Sequence, residues 1–249
     1  AATLVVAGYP APVAVAAALS VGLICGLWNG FLVAVLDIQP IVATLVLMVA
    51  GRGIAQLITQ GFIVTFTDPV LIFIGTGSFL GLPMAAVIAL VLMVLVTLLY
   101  RRTAIGLFVE AVGINRAAAS LSGIRSRMLL MMVYGLSGLC AAVAGIIVAG
   151  DIRGADANNA GLWLELDAIL AVVIGGTSLL GGRFSVPLAV VGAFIIQAMN
   201  TGILVSGFRP EFNLIVKAGM IFLILLIQSP LASRLAPVRL RPVKQAVSK

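Results

Sequence analysis

Residues 128–150 read MLLMMVYGLSGLCAAVAGIIVAG, an uncharged run bounded by Arg127 and Asp151. As a helix that run extends about 35 Å at 1.5 Å per residue, enough to cross a hydrocarbon core of about 30 Å. A helix is the favoured form there because lipid offers no partner to backbone N–H and C=O groups. Five other stretches qualify on the same grounds: Pro12–Leu36, Pro40–Thr59, Pro83–Tyr100, Leu166–Gly182 and Val186–Ser206. A seventh runs from about Glu211 to Ile227.

Composition agrees with this reading. Of 249 residues 62% are hydrophobic and 9% charged, whereas a soluble domain carries about 25% charged residues. The expected fold is an all-α polytopic membrane protein: about seven membrane-spanning helices, a short cytoplasmic helix, and one broken or re-entrant segment. A membrane domain over 1–230 and a basic cytoplasmic tail over 231–249 follow from where the apolar runs stop. Ala1–Ala7 read as the last turns of a helix that begins outside the sequence and is ended by Gly8, Tyr9 and Pro10. No basic leader with a cleavage site precedes an apolar run, so a signal peptide is not expected.

The net charge of +7 reports orientation rather than nucleic-acid affinity, because the basic residues cluster beside the spans. Arg101, Arg102, Arg116, Arg125 and Arg127 fall in one loop; Arg234, Arg239, Arg241, Lys244 and Lys249 fall in the tail. The positive-inside rule places both in the cytoplasm, which requires an even number of crossings between them. Four fit. Asp151–Trp163 and Gly61–Leu82 then lie outside, with Asp37 and Arg183 inside. The segment Leu166–Gly182 is the weakest crossing, since Gly175-Gly176 and Gly181-Gly182 interrupt it; irregular backbone at that depth belongs in protein or beside a water-filled cavity.

Within the spans, Gly22, Gly26 and Gly30 form a small-residue stripe, and Ser137, Ala141 and Gly145 are expected to form another; both suit close helix packing. Asn29, Gln56, Gln197 and Asn200 are uncharged hydrogen-bonding groups suited to a polyol that sheds water, with interhelical bonding as the alternative. Arg52 and Lys217 are cations at membrane depth, where each costs about 3 kcal/mol at a helix centre, so both should face the bundle interior, a polar cavity or a carboxylate. For Lys217 a structural ion pair or helix-end contact is expected. Cys25 and Cys140 read as apolar packing residues, not a disulfide.

Two loops carry further signals. In the outer one, Asp151, Arg153 and Asp156 are candidates for docking a soluble partner, with a merely solvated loop as the alternative. In the inner one, Asn115 is a good N-cap and Gly123 a good terminator for a two-turn helix over Arg116–Ser122, slim enough to enter a cleft on another protein. The sequence holds no histidine, which excludes histidine metal sites and histidine acid–base catalysis. Its lysines, Lys217, Lys244 and Lys249, lie in no G-x-x-x-x-G-K-[ST] phosphate loop, so ATP is not bound in that manner. Glu165 and Asp167 sit about 200° apart on a helix, a poor start for a shared catalytic pair. No acidic residue falls clearly at membrane depth, which counts against an ion-coupled secondary sugar transporter, the alternative function.

The stretch Glu110–Ile124, EAVGINRAAASLSGI, resembles the cytoplasmic coupling segment of permeases in the ribose, xylose and galactose class of ATP-binding cassette importers. Glu165-Leu166-Asp167-Ala168-Ile169, followed by Gly175-Gly176-Thr177-Ser178 and Gly181-Gly182, is similar to the same family's second signature, and Gln39–Leu45 with Arg52-Gly53 extends the likeness. The run Asp151–Glu165 is most similar to galactofuranose permeases. This resemblance implies a multi-pass protein of the bacterial cytoplasmic (inner) membrane that forms the pathway for a monosaccharide. It implies as partners a second permease subunit (a copy or a paralogue), cytoplasmic ATPase chains that hold ATP and magnesium, and a periplasmic sugar-binding protein. No cofactor is expected on this chain. The coupling role falls on Gly113, Asn115, Arg116, Ala118, Ser122, Gly123 and Ile124. The sequence departs from the family at Leu121, where a basic residue is frequent, and lacks the spans and glycine-rich acidic motif with which members usually begin.

Overall fold

A computed structural model describes residues 1–79, 81–177, 181–207 and 211–228, with side chains withheld at 211 and 223–228. Arg209, which the count of crossings places on the outer side, and the tail over 231–249 are not among the described residues. The elements in chain order are α1 (Ala2–Val6), α2 (Ala11–Ala34), α3 (Pro40–Thr59), β1 (Val64–Thr65), α4 (Pro69–Thr76), β2 (Ser78–Phe79), β3 (Leu82–Pro83), α5 (Met84–Arg102), α6 (Ala104–Ile114), α7 (Arg116–Leu121), α8 (Ser126–Asp151), β4 (Gly154–Ala155), α9 (Leu164–Ile174), α10 (Val186–Val205) and α11 (Glu211–Gln228).

Among the described residues, α2, α3, α5, α8 and α10 are the helices long and apolar enough to cross a membrane. Of the seven expected spans, these five are full-length among the described residues. Segment Leu166–Gly182 is helical only to Ile174; α9 has 11 residues and is about 16 Å long, half of what a crossing needs. α11 has 18 residues, of which the side chains are described to Phe222.

Local chemistry sets the boundaries. Proline opens α3 and α4 with its φ already helical. Asp68 caps α4 by accepting from the Val70 and Leu71 amides at 2.9 and 3.2 Å. Gln60 and Gly61 turn left-handed to end α3. Thr103 closes α5 and caps α6 through the Ile105 amide.

The chain divides into two compact units: residues 1–163 with 177–187, and residues 164–176 with 188 onward. In the first, α2 and α8 pack along most of their lengths. The Gly22, Gly26 and Gly30 stripe makes this possible, because a Cβ on Gly26 would collide with the Tyr134 carbonyl and one on Gly30 would come within 2.9 Å of the Met131 Cα. The facing row is Tyr134, Gly135, Gly138 and Ala142, not the expected Ser137, Ala141 and Gly145; a Cβ on Gly145 would meet open space. α4 packs on the far end of α8 through Gly75 and Gly150, again at backbone contact. The expected outer loop 61–82 thus holds a helix, and the inner loop 101–127 holds α6 ahead of the expected short helix.

In the second unit α9 and α11 pack together around Leu170, Ala171 and Ile196. Gly192 of α10 lies so close to Ala171 that a Cβ would strike its carbonyl, and Gly175 meets Leu188 and Ala189 likewise. Lys217 on α11 donates to Asp167 Oδ2 of α9 at 2.8 Å, with Oδ1 at 2.6 Å and the lysine side chain 8% exposed. The structural ion pair expected for this buried cation is present. The cysteines are free.

Candidate functional site

The inner-side segment carries the most built geometry. Asn115 adopts extended backbone and its Oδ1 accepts from the Ala118 amide at 3.0 Å, the N-cap expected of it. At the other end Gly123, with φ +84°, donates to the Ser120 carbonyl and Ile124 to the Ala119 carbonyl, each at 3.1 Å. This nested pair of bonds is a Schellman motif, which a left-handed glycine permits at little cost. Ser122 is the C-cap and also donates from its hydroxyl to Ala118, so α7 ends one residue before the expected boundary.

Burial orients α7. Ala119 faces inward with Val112, Leu129 and Ile124, which fixes the helix to α6 and α8. Ala117, Ala118, Ser120 and Leu121 point outward. Leu121 is 90% exposed, an apolar knob at the tip of a slim helix. In sequence Leu121 stands out only as a departure from the family; its place in the last turn, off the Ala119 face, is the signal of its exposure.

Gly113 lies against the second glycine pair. A Cβ on Gly181 would collide with the Gly113 carbonyl, and one on Gly113 would come within 3.3 Å of the Gly182 amide. Gly181 and Gly182 have φ of +96° and +108°, values that L side chains rarely adopt. The two separate glycine signatures are therefore one backbone-to-backbone contact. Nearby, Tyr100 and Phe184 meet edge to face at 5.1 Å. They border a cleft of about 370 Å³ that also exposes Arg101, Glu110 and Ser185.

Arg116, the first residue of α7, donates to Asp37 Oδ1 at 2.8 Å and to the Ala34 carbonyl at 3.1 Å. The first bond joins residues 79 positions apart, a separation at which sequence gives no pairing signal.

The candidate pathway residues are dispersed. Asn29 on α2 is 9% exposed and its Oδ1 is buried without a hydrogen bond, as are the Oδ1 atoms of Asn200 and Asn213 in the second unit. Such orphaned acceptors cost free energy unless a partner group reaches them. Gln197 is exposed and Arg52 half-buried. Gln56, one turn from Arg52, donates to Asn158 Oδ1 at 2.9 Å, and Asn158 in turn donates to the Gly61 carbonyl.

That contact fastens the outer loop. β4 pairs antiparallel with β1, Val64 opposite Ala155. Asp156 folds the next turn: the Asn159 side chain, above all, and the Asn158 and Asn159 amides donate to its carboxylate and hold its pKa below the usual carboxylate range. Asp151 and Arg153 are exposed, and Arg153 is left-handed at φ 53°. Asp151 thus ends α8, and the other two docking candidates, Arg153 and Asp156, share a loop of defined shape.

Residues 1–225 match the family described as branched-chain amino acid transport system / permease component. The chain is 62% identical over 228 residues to the galactofuranose transporter permease protein of Escherichia coli strain K12, covering 92% of this chain and 67% of that protein. It is 43% identical over 218 residues to the fructose import permease protein of Bifidobacterium longum strain NCC 2705, covering 86% and 61%. With the ribose import permease protein of Escherichia coli strain K12 the figures are 38% over 221 residues, 87% and 68%. No solved structure gives a significant match. On a match that runs through both the capped inner helix and the glycine contact beside it, the chain belongs to this family of transport-system permease components.

Proposed function

We propose that the chain forms the membrane pathway of an ATP-driven importer for a monosaccharide, with galactofuranose the first sugar to test. The observation that carries this reading is α7: a two-turn helix, capped at both ends, anchored by Ala119 and presenting Ala117, Ala118 and Leu121 outward. A chain that lacks a phosphate loop receives the work of ATP hydrolysis through contact, and a narrow, rigid projection with an apolar tip suits that task. The coupling residues are Gly113, Asn115, Arg116, Ala118, Ser122, Gly123 and Ile124, to which Leu121 is added.

The partners are a second permease subunit, cytoplasmic ATPase chains with ATP and magnesium, and a periplasmic sugar-binding protein received by the loop of Asp151, Arg153 and Asp156. The setting is the bacterial inner membrane. Asn29, Arg52, Gln197 and Asn200 are proposed to line the pathway; the buried Oδ1 atoms of Asn29 and Asn200, which accept no hydrogen bond, favour this role, whereas Gln56 is engaged with the outer loop. Extraction in mild detergent followed by affinity capture tests the assembly. An ATPase and a binding protein should be recovered with the chain, and capture of the chain with neither would refute it.

A further inference from the structure

The Arg116–Asp37 contact has features that static stability does not account for. Asp37 adopts φ 52°, a left-handed conformation that a residue with a Cβ enters at a cost. Its carboxylate holds one arm of the Arg116 guanidinium while the other arm donates to Ala34, one of the carbonyls that the end of α2 leaves without a helical partner. A cation at that end is also favoured by the helix dipole. Yet the side chains of Arg116 and Asp37 are 38% and 68% exposed, and an ion pair so open to solvent shifts a folding equilibrium by no more than about fivefold.

What the pair does is join two elements. α7 begins at Arg116 and is fixed at its far end to α8 through Ile124 and Leu129. α2 ends beside Asp37 and is locked to α8 by glycine contacts along its length. With the Arg116 fork closed, α7 is tied to the α2–α8 pair at both of its ends and a push on it moves that pair. With it open, only the α6 and α8 side holds α7, and the same push can tilt the short helix instead.

We propose that Asp37 is a positioning residue for energy coupling: by holding Arg116 on the end of α2, it fixes the start of the inner helix to the α2–α8 pair. This rests on the transport reading above. The test uses the assembled transporter in proteoliposomes, with labelled galactose, which includes the furanose form at equilibrium, as the probe. Sugar imported per ATP hydrolysed is measured for Asp37→Asn, Asp37→Gly, Arg116→Gln and the Asp37→Asn/Arg116→Gln double variant. The Asp37 variants should keep ATPase co-purification and hydrolysis but lower sugar per ATP by about two- to fivefold, the range open to an exposed pair, and Arg116→Gln should lower that ratio at least as much. The double variant should be no worse than Arg116→Gln alone, because one contact is removed once.

An unchanged ratio in Asp37→Asn and Arg116→Gln, or losses that add in the double variant, would overturn the link. Asp37→Gly retains the left-handed turn without the carboxylate, so normal coupling in that variant would assign the role to the backbone and overturn the proposal as well. Failure of the unchanged chain to bind any ATPase would instead overturn the transport reading.

Discussion

At the scale of single residues, the chemistry that reads clearly in sequence is chemistry completed within a few positions. Asn115 and Gly123 are such cases, because a side-chain cap and a left-handed terminator depend on neighbours one turn away. Leu121 and Asp37 are the opposite. Whether an apolar side chain stands exposed, or a carboxylate meets an arginine 79 positions on, is settled by tertiary packing. Ala118→Asp places a carboxylate on the outward face of α7, where burial without a counter-charge costs several kcal/mol. Membrane insertion should be normal while ATPase co-purification and sugar uptake are lost. Gly123→Val should do the same by straining the φ of +84°, and a normal uptake rate in both variants would place coupling elsewhere. Asp156 makes a second residue-level prediction. Its pKa is depressed in the folded loop, so the bonds to Asn159 and Asn158 support the loop above the ordinary carboxylate range and are lost as pH falls through the lower, folded value. Labelling of a cysteine at Ala157 should therefore be independent of pH near neutrality and rise only in acid.

Elements divide along a similar line. The long spans were legible because twenty apolar residues have one outcome in a bilayer. α9 was legible as a broken segment because paired glycines stop a helix. α4 and α6 were not, since eight and eleven residues fall short of a span and lie where topology expects loops; Asp68-Pro69 and Thr103 were start signals that only a search below membrane length would use. Small-residue spacing found the α2 stripe but chose the wrong row on α8, because several rows of one helix share the same period and the crossing selects among them. Gly26→Val should thus destabilise the protein by about 1–3 kcal/mol or more, as overpacking does, while Gly145→Val should leave its melting temperature in detergent nearly unchanged. Lys217→Met strands the Asp167 carboxylate and should cost about 3–5 kcal/mol, whereas Asp167→Leu with Lys217→Met should recover most of that loss. A double variant as unstable as the single one would show that the pair does more than neutralise itself.

For the molecule as a whole, counting basic residues gave both a grouping of loops by side and an orientation, and the contacts within the first unit agree with the grouping. Loops assigned outside meet one another: β1 pairs with β4 and Gln56 with Asn158. Loops assigned inside also meet: Asp37 with Arg116, and Gly113 with Gly181. These groups lie at opposite ends of α8, whose 26 residues span about 39 Å. A cysteine at Asn159 should react with an impermeant thiol reagent on intact cells and one at Ser120 should not; the reverse would invert the topology.

The source of energy separates an ATP-driven importer from an ion-coupled one. Vesicles reconstituted with the chain, its ATPase and its binding protein should accumulate labelled sugar when ATP and magnesium are supplied on the α7 side and every ion gradient is collapsed, and accumulation should stop when the ATPase is left out. Uptake that instead follows an imposed proton gradient, in vesicles holding neither ATP nor partner chains, would contradict the ATP-driven reading.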